Sequence, residues 1–286
     1  MKRLLYQLDT DALPAVFDNV VGYDGGADRI TAYGGVSADN VGALVEGAIF
    51  TRGAKDKKNT ALFIGGGNLA AGEAVLAAVR AKFFANFRVS VMFDCNGCNT
   101  TAAAAVAWLA YGRSLAGKSA VVLGGTGPVG QRAAVLLARE GASVSLTGRK
   151  LAVVETACRA IQIRFGAHVR AIEAATNEAR SAALRGVQIV VATGAAGITL
   201  LDAVQWQDNP TLELVADANA SPPAGIAGVD GNDRGKPSHG KILFGSLGFG
   251  ALKLALHRTC IGRLFEQNDL LLDAEEIYAI AKTMVG

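Results

Sequence analysis

Short β-branched runs alternate along the chain with longer alanine-rich stretches of helical period. Unbroken apolar or period-two runs predict strands over 3–8, 29–33, 60–64, 88–93, 119–123, 143–147, 187–192, 211–216 and 241–244. Apolar positions recurring every three to four residues predict helices over 38–49, 69–84, 100–113 and 129–140, with two more at 249–267 and 274–284. Pro14 sits where a first helical turn would begin after Asp9-Thr10-Asp11, and Ser37 stands as a cap before the next helix. Strand and helix alternating at this spacing imply an α/β fold, a parallel sheet with helices on both faces. Residues 220–241 carry three prolines and many glycines and read as a long surface loop.

At 286 residues the chain is long enough for one large or two modest domains. A join is expected near Leu115-Ala116-Gly117-Lys118, between a helix and a new strand. Residues 116–249 then form one nucleotide-binding unit, while 1–115 and 250–286 together form a second α/β unit from both chain ends. Hydrophobic residues at 51% and charged ones at 19% exclude disorder. With 28 basic against 25 acidic residues the net charge is +3, too balanced to point to nucleic acid or a membrane surface. A mean hydropathy of +0.30 raises the question of a membrane span. The longest apolar runs, 102–111 and 189–201, fall short of the ~20 residues that a spanning helix needs. Gln7, Asp9 and Asp11 interrupt what would be a signal core behind Lys2 and Arg3. The chain reads as soluble and cytoplasmic, and its four cysteines as free thiols.

The most specific local signal follows the strand at 119–123. Gly125, Gly127 and Gly130 have the G-x-G-x-x-G spacing, with Thr126, Pro128 and Val129 between them, and an amphipathic helix continues from Gln131. In such a turn the first glycine makes the tight bend, the second lets backbone approach a diphosphate, and the third lets helix pack on strand. The helix N-terminus adds unpaired N–H groups and a positive dipole end, so a Rossmann-type dinucleotide domain is expected. A carboxylate closing the strand at 143–147 would hold the ribose hydroxyls of NAD. That strand closes instead on Thr147-Gly148-Arg149-Lys150, and two cations there suit the 2′-phosphate of NADP. Thr193, Gly194 and Ala195, and then Asp217 and Asn219, each follow a strand and are expected to flank the nicotinamide.

Two other motifs carry less. Cys95-Asn96-Gly97-Cys98 has C-x-x-C spacing but no second pair, and the three histidines share no ligand spacing, so no metal site is expected. A polar strand-end turn holding two free thiols accounts for it. Tyr278 and Lys282 match Y-x-x-x-K, but only four residues follow and the glycine turn lies in mid-chain, so the match is a coincidence on an amphipathic helix.

Several longer runs carry a family resemblance. Leu8-Asp9-Thr10-Asp11, Val21-Gly22-Tyr23-Asp24-Gly25-Gly26-Ala27-Asp28, Asn99-Thr100-Thr101-Ala102, the turn at 124–130 with Gly148-Arg149-Lys150, and Leu252-Lys253-Leu254 with Leu256-His257-Arg258 occur in order over essentially the whole chain. Together they resemble the NADP-dependent methylene-tetrahydromethanopterin dehydrogenases of methylotrophic bacteria. The resemblance implies a substrate domain built from both chain ends around an NADP domain, a trimer-based homo-oligomer, and possible action on methylene-tetrahydrofolate. One departure is the thiol pair beside Asn96, where small polar residues are expected; this leaves thiol contact with substrate open.

The implied reaction moves a hydride from the methylene carbon between two pterin nitrogens to the nicotinamide, with no proton transfer and no general base. Asp11 would favour the forming cation by its charge, or else cap a helix. Asn96 and Thr101 would hold the pterin by hydrogen bonds, or serve as turn and cap. Lys253 would anchor an oxygen of substrate or cofactor, and His257, one turn along, packs rather than reacts. The rivals are a shikimate dehydrogenase-like enzyme, which needs a Lys–Asp proton-transfer pair for which Lys82 is a poor candidate, and a non-catalytic NADPH-sensing module.

Overall fold

A computed structural model describes residues 1–286. The first half of the chain runs β1 (Leu4–Asp9), α1 (Val16–Asp24), β2 (Arg29–Tyr33), α2 (Val41–Phe50), β3 (Thr60–Gly65), α3 (Leu69–Ala81), β4 (Ser90–Phe93) and α4 (Cys98–Ala110). It continues with β5 (Ser119–Leu123), α5 (Pro128–Arg139), β6 (Ser143–Gly148), α6 (Leu151–Phe165), β7 (Val169–Glu173), α7 (Asn177–Ala183), β8 (Ile189–Ala192) and β9 (Leu214–Asp217). It ends with β10 (Arg234–Ser238), β11 (Lys241–Phe244), α8 (Ser246–Arg263), β12 (Leu271–Leu272) and α9 (Ala274–Met284). Two compact units result: residues 1–100 with 254–280, and residues 101–253 with 281–286. Their joins fall after Thr100 and Lys253, where the sequence pattern places them after 115 and 249.

The first unit holds a five-stranded parallel sheet in the order β12-β4-β3-β1-β2. All six residues of β3 are buried, as expected of a central strand covered on both faces. Its core includes Leu8, Val45, Ile64, Val75, Val79 and Phe93. The second unit holds seven strands in the order β10-β11-β9-β8-β5-β6-β7, parallel except for the β10–β11 pair. The chain leaves β5 to one side towards β6 and β7 and returns on its other side at β8. That reversal opens a crevice at the carboxyl end of β5, where open α/β sheets bind their ligands.

Two helix starts differ from the sequence pattern. Helix α1 begins at Val16 with Ala15 as its cap, so Pro14 precedes the helix. Helix α2 begins at Val41, and Asn40 Oδ1 accepts the Ser37 N–H at 2.8 Å, so the side chain that turns the chain there is Asn40. No helix is long and apolar enough to cross a membrane.

Candidate active site

In the glycine turn, the left-handed residue is Gly124, at φ +62°, one position ahead of the motif. The Gly124 N–H donates to Thr147 Oγ1 (3.3 Å) and the Gly125 N–H to the Thr147 carbonyl (2.9 Å), tying the turn to the end of β6. A Cβ on Gly125 would lie 2.3 Å from Leu146 Cδ1, and one on Gly130 would lie 2.5 Å from the Gly125 Cα and 2.6 Å from Thr193 Oγ1. Both glycines are therefore packing residues. Gly127 is the opposite case, since a Cβ there would meet nothing within 4 Å. Open space on Gly127 is what close approach by a diphosphate requires.

Helix α5 starts at Pro128 with no side-chain cap on Gly127. The Gln131 N–H closes the first turn onto the Gly127 carbonyl (3.1 Å), and Gln131 Nε2 donates to the Thr126 carbonyl (2.8 Å). The amides of Val129 and Gly130 belong to the first turn, which has no intrahelical acceptors. They and the helix dipole make an anion site. A Cβ on Gly148 would lie 3.1 Å from Thr126 Cγ2, so β6 delivers Arg149 and Lys150 directly beside the turn. Both cations are exposed. Glu173 Oε2 accepts the Leu151 N–H at 2.9 Å and caps α6, a role invisible in the sequence because it comes from the neighbouring strand. These residues fit NADP: backbone and dipole for the diphosphate, two cations for a further phosphate.

The strand-end loops beyond are held by their own side chains. Asp217 is buried, with Oδ1 accepting the Asn219 N–H and Oδ2 the Ile226 N–H, both at 3.0 Å. Burial raises its carboxyl above the usual range, against the pull of those amides. Asn219 spends its side chain on Pro223 and Ser221. Thr193 Oγ1 donates to the Leu123 carbonyl at 3.1 Å. A Cβ on Gly124 would lie 2.8 Å from the Gly194 Cα, so this loop borders the glycine turn, with Ala195 exposed at its rim. Asp217, Asn219 and Thr193 therefore spend their side chains on shaping the loops.

In the first unit, carboxylates gather at the carboxyl ends of the strands. Asp9 is fully buried; its Oδ1 accepts the Asp11 N–H (2.9 Å) and its Oδ2 the Ala15 N–H (3.0 Å). Asp11 is exposed and accepts the Gly67 N–H on Oδ2 at 2.8 Å, so it links the loops after β1 and β3 and caps no helix. A Cβ on Gly65 would lie 3.2 Å from Asp18 Oδ2 and 3.6 Å from Asp9 Oδ2, so both carboxylates stand beside the end of β3.

Asp94 is likewise fully buried. It accepts the Asn99 N–H (2.7 Å), the Thr100 N–H (3.1 Å) and the Thr100 hydroxyl (2.6 Å), capping α4. Asn99 Nδ2 donates to the Phe93 carbonyl (2.6 Å) and to Asp273 Oδ1 (3.0 Å). His257 Nδ1 lies 3.9 Å from Asp94 Oδ2, and its ring stacks on Phe63 at 5.4 Å, with Phe17 at 6.1 Å. Asn96 is exposed at φ +53°, while Thr101 is half-buried and Thr100 supplies the capping hydroxyl. Lys253 is half-buried one helical turn before His257 on α8. Asp94 and Asp273 are absent from the sequence analysis, and Asp9, Asn99 and Thr100 enter it with no site role given to them. An Asp closing an apolar strand five and six residues before Asn-Thr was the available signal.

The thiols are inward-facing. Cys95 and Cys98 are buried and form no disulfide, and Cys95 Sγ donates to the Gly65 carbonyl (3.3 Å). A Cβ on Gly72 would lie 2.1 Å from that sulfur, so the thiol packs against α3 and is not displayed on a polar turn. Cys260 is buried too, its thiol pushed up to about 12 by burial and, secondarily, by Asp94. Such a thiol is no nucleophile. Tyr278 is buried in α9, and Lys282 pairs with Glu140 at 3.0 Å.

The family model for the N-terminal part of methylene-tetrahydromethanopterin dehydrogenase matches residues 16–96. The bifunctional protein MdtA of Methylorubrum extorquens is 56% identical over 285 residues, covering 99% of each chain. The NAD(P)-dependent methylenetetrahydromethanopterin dehydrogenase of the same organism is 32% identical over 295 residues, covering 100% of this chain and 99% of its own. Among solved structures, 5-ketofructose reductase of Gluconobacter aligns over 100% of this chain and 99% of its own with a TM-score of 0.53 and 17% identity. Shikimate 5-dehydrogenase of Listeria monocytogenes aligns over 98% and 96% with a TM-score of 0.53 and 16% identity. The last two likenesses are of fold alone. With two relatives matched end to end at 56% and 32%, the chain belongs to the methylene-tetrahydromethanopterin dehydrogenase family.

Proposed function

We propose that the protein oxidises methylene-tetrahydromethanopterin with NADP, giving the methenyl cation, with methylene-tetrahydrofolate as a further substrate, in the one-carbon metabolism of methylotrophy. The carrying observation is the full-length identity to a relative named for NAD(P)-dependent oxidation of that pterin. The open Gly127 beside Arg149 and Lys150 supports the choice of cofactor. NADP, when bound, supplies the hydride acceptor. On the substrate the methylene C–H bond breaks with its electron pair leaving. A nitrogen lone pair forms the new C=N bond, and the charge spreads over N–C–N. No proton leaves, so no general base is required.

The chain's own residues then have to position the reactants and to favour positive charge. Val129 and Gly130 amides hold the diphosphate, and Arg149 and Lys150 the 2′-phosphate. Asp11, exposed at the end of β1 and fixed by Gly67, supplies negative charge. Asn96 and Thr101 hold the pterin by hydrogen bonds. Lys253 anchors an oxygen of substrate or cofactor, because an ammonium close to the reacting carbon would oppose the cation. His257, stacked on Phe63, is a packing platform.

A trimer-based homo-oligomer belongs to this reading; Val16, Phe17, Val20 and Tyr23 on α1 are exposed apolar side chains of the kind subunit contacts cover. Four cysteines outside any disulfide fit the reducing cytoplasm. The test is NADP reduction followed with methylene-tetrahydromethanopterin, methylene-tetrahydrofolate and shikimate side by side. Turnover of the first pterin and none of shikimate is expected. NADPH binding without reduction of NADP by either pterin would leave the sensing module, and oxidation of shikimate the alcohol dehydrogenase.

A further inference from the structure

The second unit has a hollow on one face of its sheet, away from the glycine turn. Strand β7 is the edge of the sheet, and the chain must return from it across β6 and β5 to reach β8. That crossover is made with α7, only seven residues long, whereas α5 and α6 on the preceding connections have 12 and 15. Helix α7 presents Ala179, Ala182 and Ala183 to the space beneath it, and small side chains leave it unfilled. A cavity of about 530 Å³ remains, within the range of small-ligand sites.

Its floor is polar where a sheet face is usually apolar. Ser143 and Ser145 alternate along β6 and so share a face, while Val144 and Leu146 point to the other. Ser119 is the register partner of Ser143, and Arg170 that of Ser145. Ser145 is more than nine-tenths buried, and Arg170 Nε donates to its Oγ at 3.2 Å. Arg185 lines the cavity from the end of the crossover. Neither arginine has a carboxylate partner. Glu173 also borders the space, but its Oε2 accepts the Leu151 N–H.

Two guanidinium groups, neither ion-paired, against the single carboxylate of Glu173 and over hydroxyls in a cavity of ligand size, match a phosphate-bearing anion, for which planar forked donors are suited. We propose that this hollow is a second anion site, taking a small phosphate or diphosphate compound and separate from the site for NADP. Ser119 and Ser143 open β5 and β6, so the hollow reaches the amino ends of strands whose carboxyl ends carry the glycine turn.

The test is calorimetric titration of inorganic pyrophosphate into the full-length protein saturated with NADP. Binding is expected, weakened about tenfold or more in Arg170→Gln and in Arg185→Gln, both exposed positions where folding tolerates change. Ala182→Phe, which fills the hollow and keeps both arginines, should abolish it while NADP affinity stays unchanged. No binding to the NADP-saturated protein overturns the proposal, as does affinity untouched by the three variants. Competition with NADP would assign the ion to the cofactor turn. Variants that change subunit association without changing pyrophosphate binding would make the hollow a contact between copies.

Discussion

The glycine turn of the second unit and the carboxylate cluster of the first solve opposite electrostatic problems by opposite means. At 124–130 almost nothing is done by side chains. Close packing at Gly125 and Gly130, open space at Gly127 and the first amides of α5 make a surface for a polyanion. At the strand ends of the first unit, buried Asp9 and Asp94 do the organising, and the charge they concentrate is negative. A reaction that leaves a cation on one reactant and binds a polyanion as the other calls for both. Backbone geometry is encoded by neighbours in sequence, whereas a buried charge cluster is encoded by residues far apart.

The comparison is broken most forcefully at Asp94. Asp94→Ala strands two amides and a hydroxyl in the interior and should cost about 3 kcal/mol or more. Thermal melting reads it, and a melting temperature within a degree of the parent would show that the cluster is not organised by this carboxylate. The glycine turn separates stability from binding. Gly130→Ala drives a methyl into the Gly125 backbone and should cost about 1–3 kcal/mol. Gly127→Ala should leave melting unchanged and weaken NADP, because its methyl points only into space that the diphosphate would use. Equal melting of the two variants would contradict the division of roles.

Much of the second unit's site is legible because it is contiguous: five glycines, a proline and two cations lie within two short runs. The first unit's site is not. The Asn99–Asp273 hydrogen bond spans 174 positions, and no periodicity links His257 to Asp94. The missed strands fail for physical reasons of their own. Strand β7 is a half-exposed edge broken by Arg170 and Glu173, β10 carries Pro237 inside a turn-rich stretch, and β12 has only two residues. Asp217 and Asn219 show the converse: a strand-end position correctly marks the loop, while the side chains turn out to hold that loop together.

Smaller effects sharpen the contrast further. Arg149→Ala should lower the preference for NADP over NAD by roughly ten- to hundredfold, the worth of about 1.5–3 kcal/mol for a charge-assisted hydrogen bond. Competitive binding of the two cofactors measures it, and an unchanged ratio would move the 2′-phosphate elsewhere. Cys95→Ser keeps a donor to the Gly65 carbonyl and should change turnover less than about twofold. A larger loss, restored by adding zinc, would make the thiol a ligand.

The central claim is that a hydride, with no accompanying proton, passes directly from the methylene carbon to the cofactor. Single-turnover reaction of NADP with the dideuterated methylene pterin, run in ordinary water between about pH 6 and 8.5, tests it most directly. One deuterium should appear in every NADPH, with a primary isotope effect and a rate nearly flat in pH. Loss of the label to solvent, or a tenfold rise in rate with pH that disappears in Lys253→Met, would contradict the account and make the lysine a base.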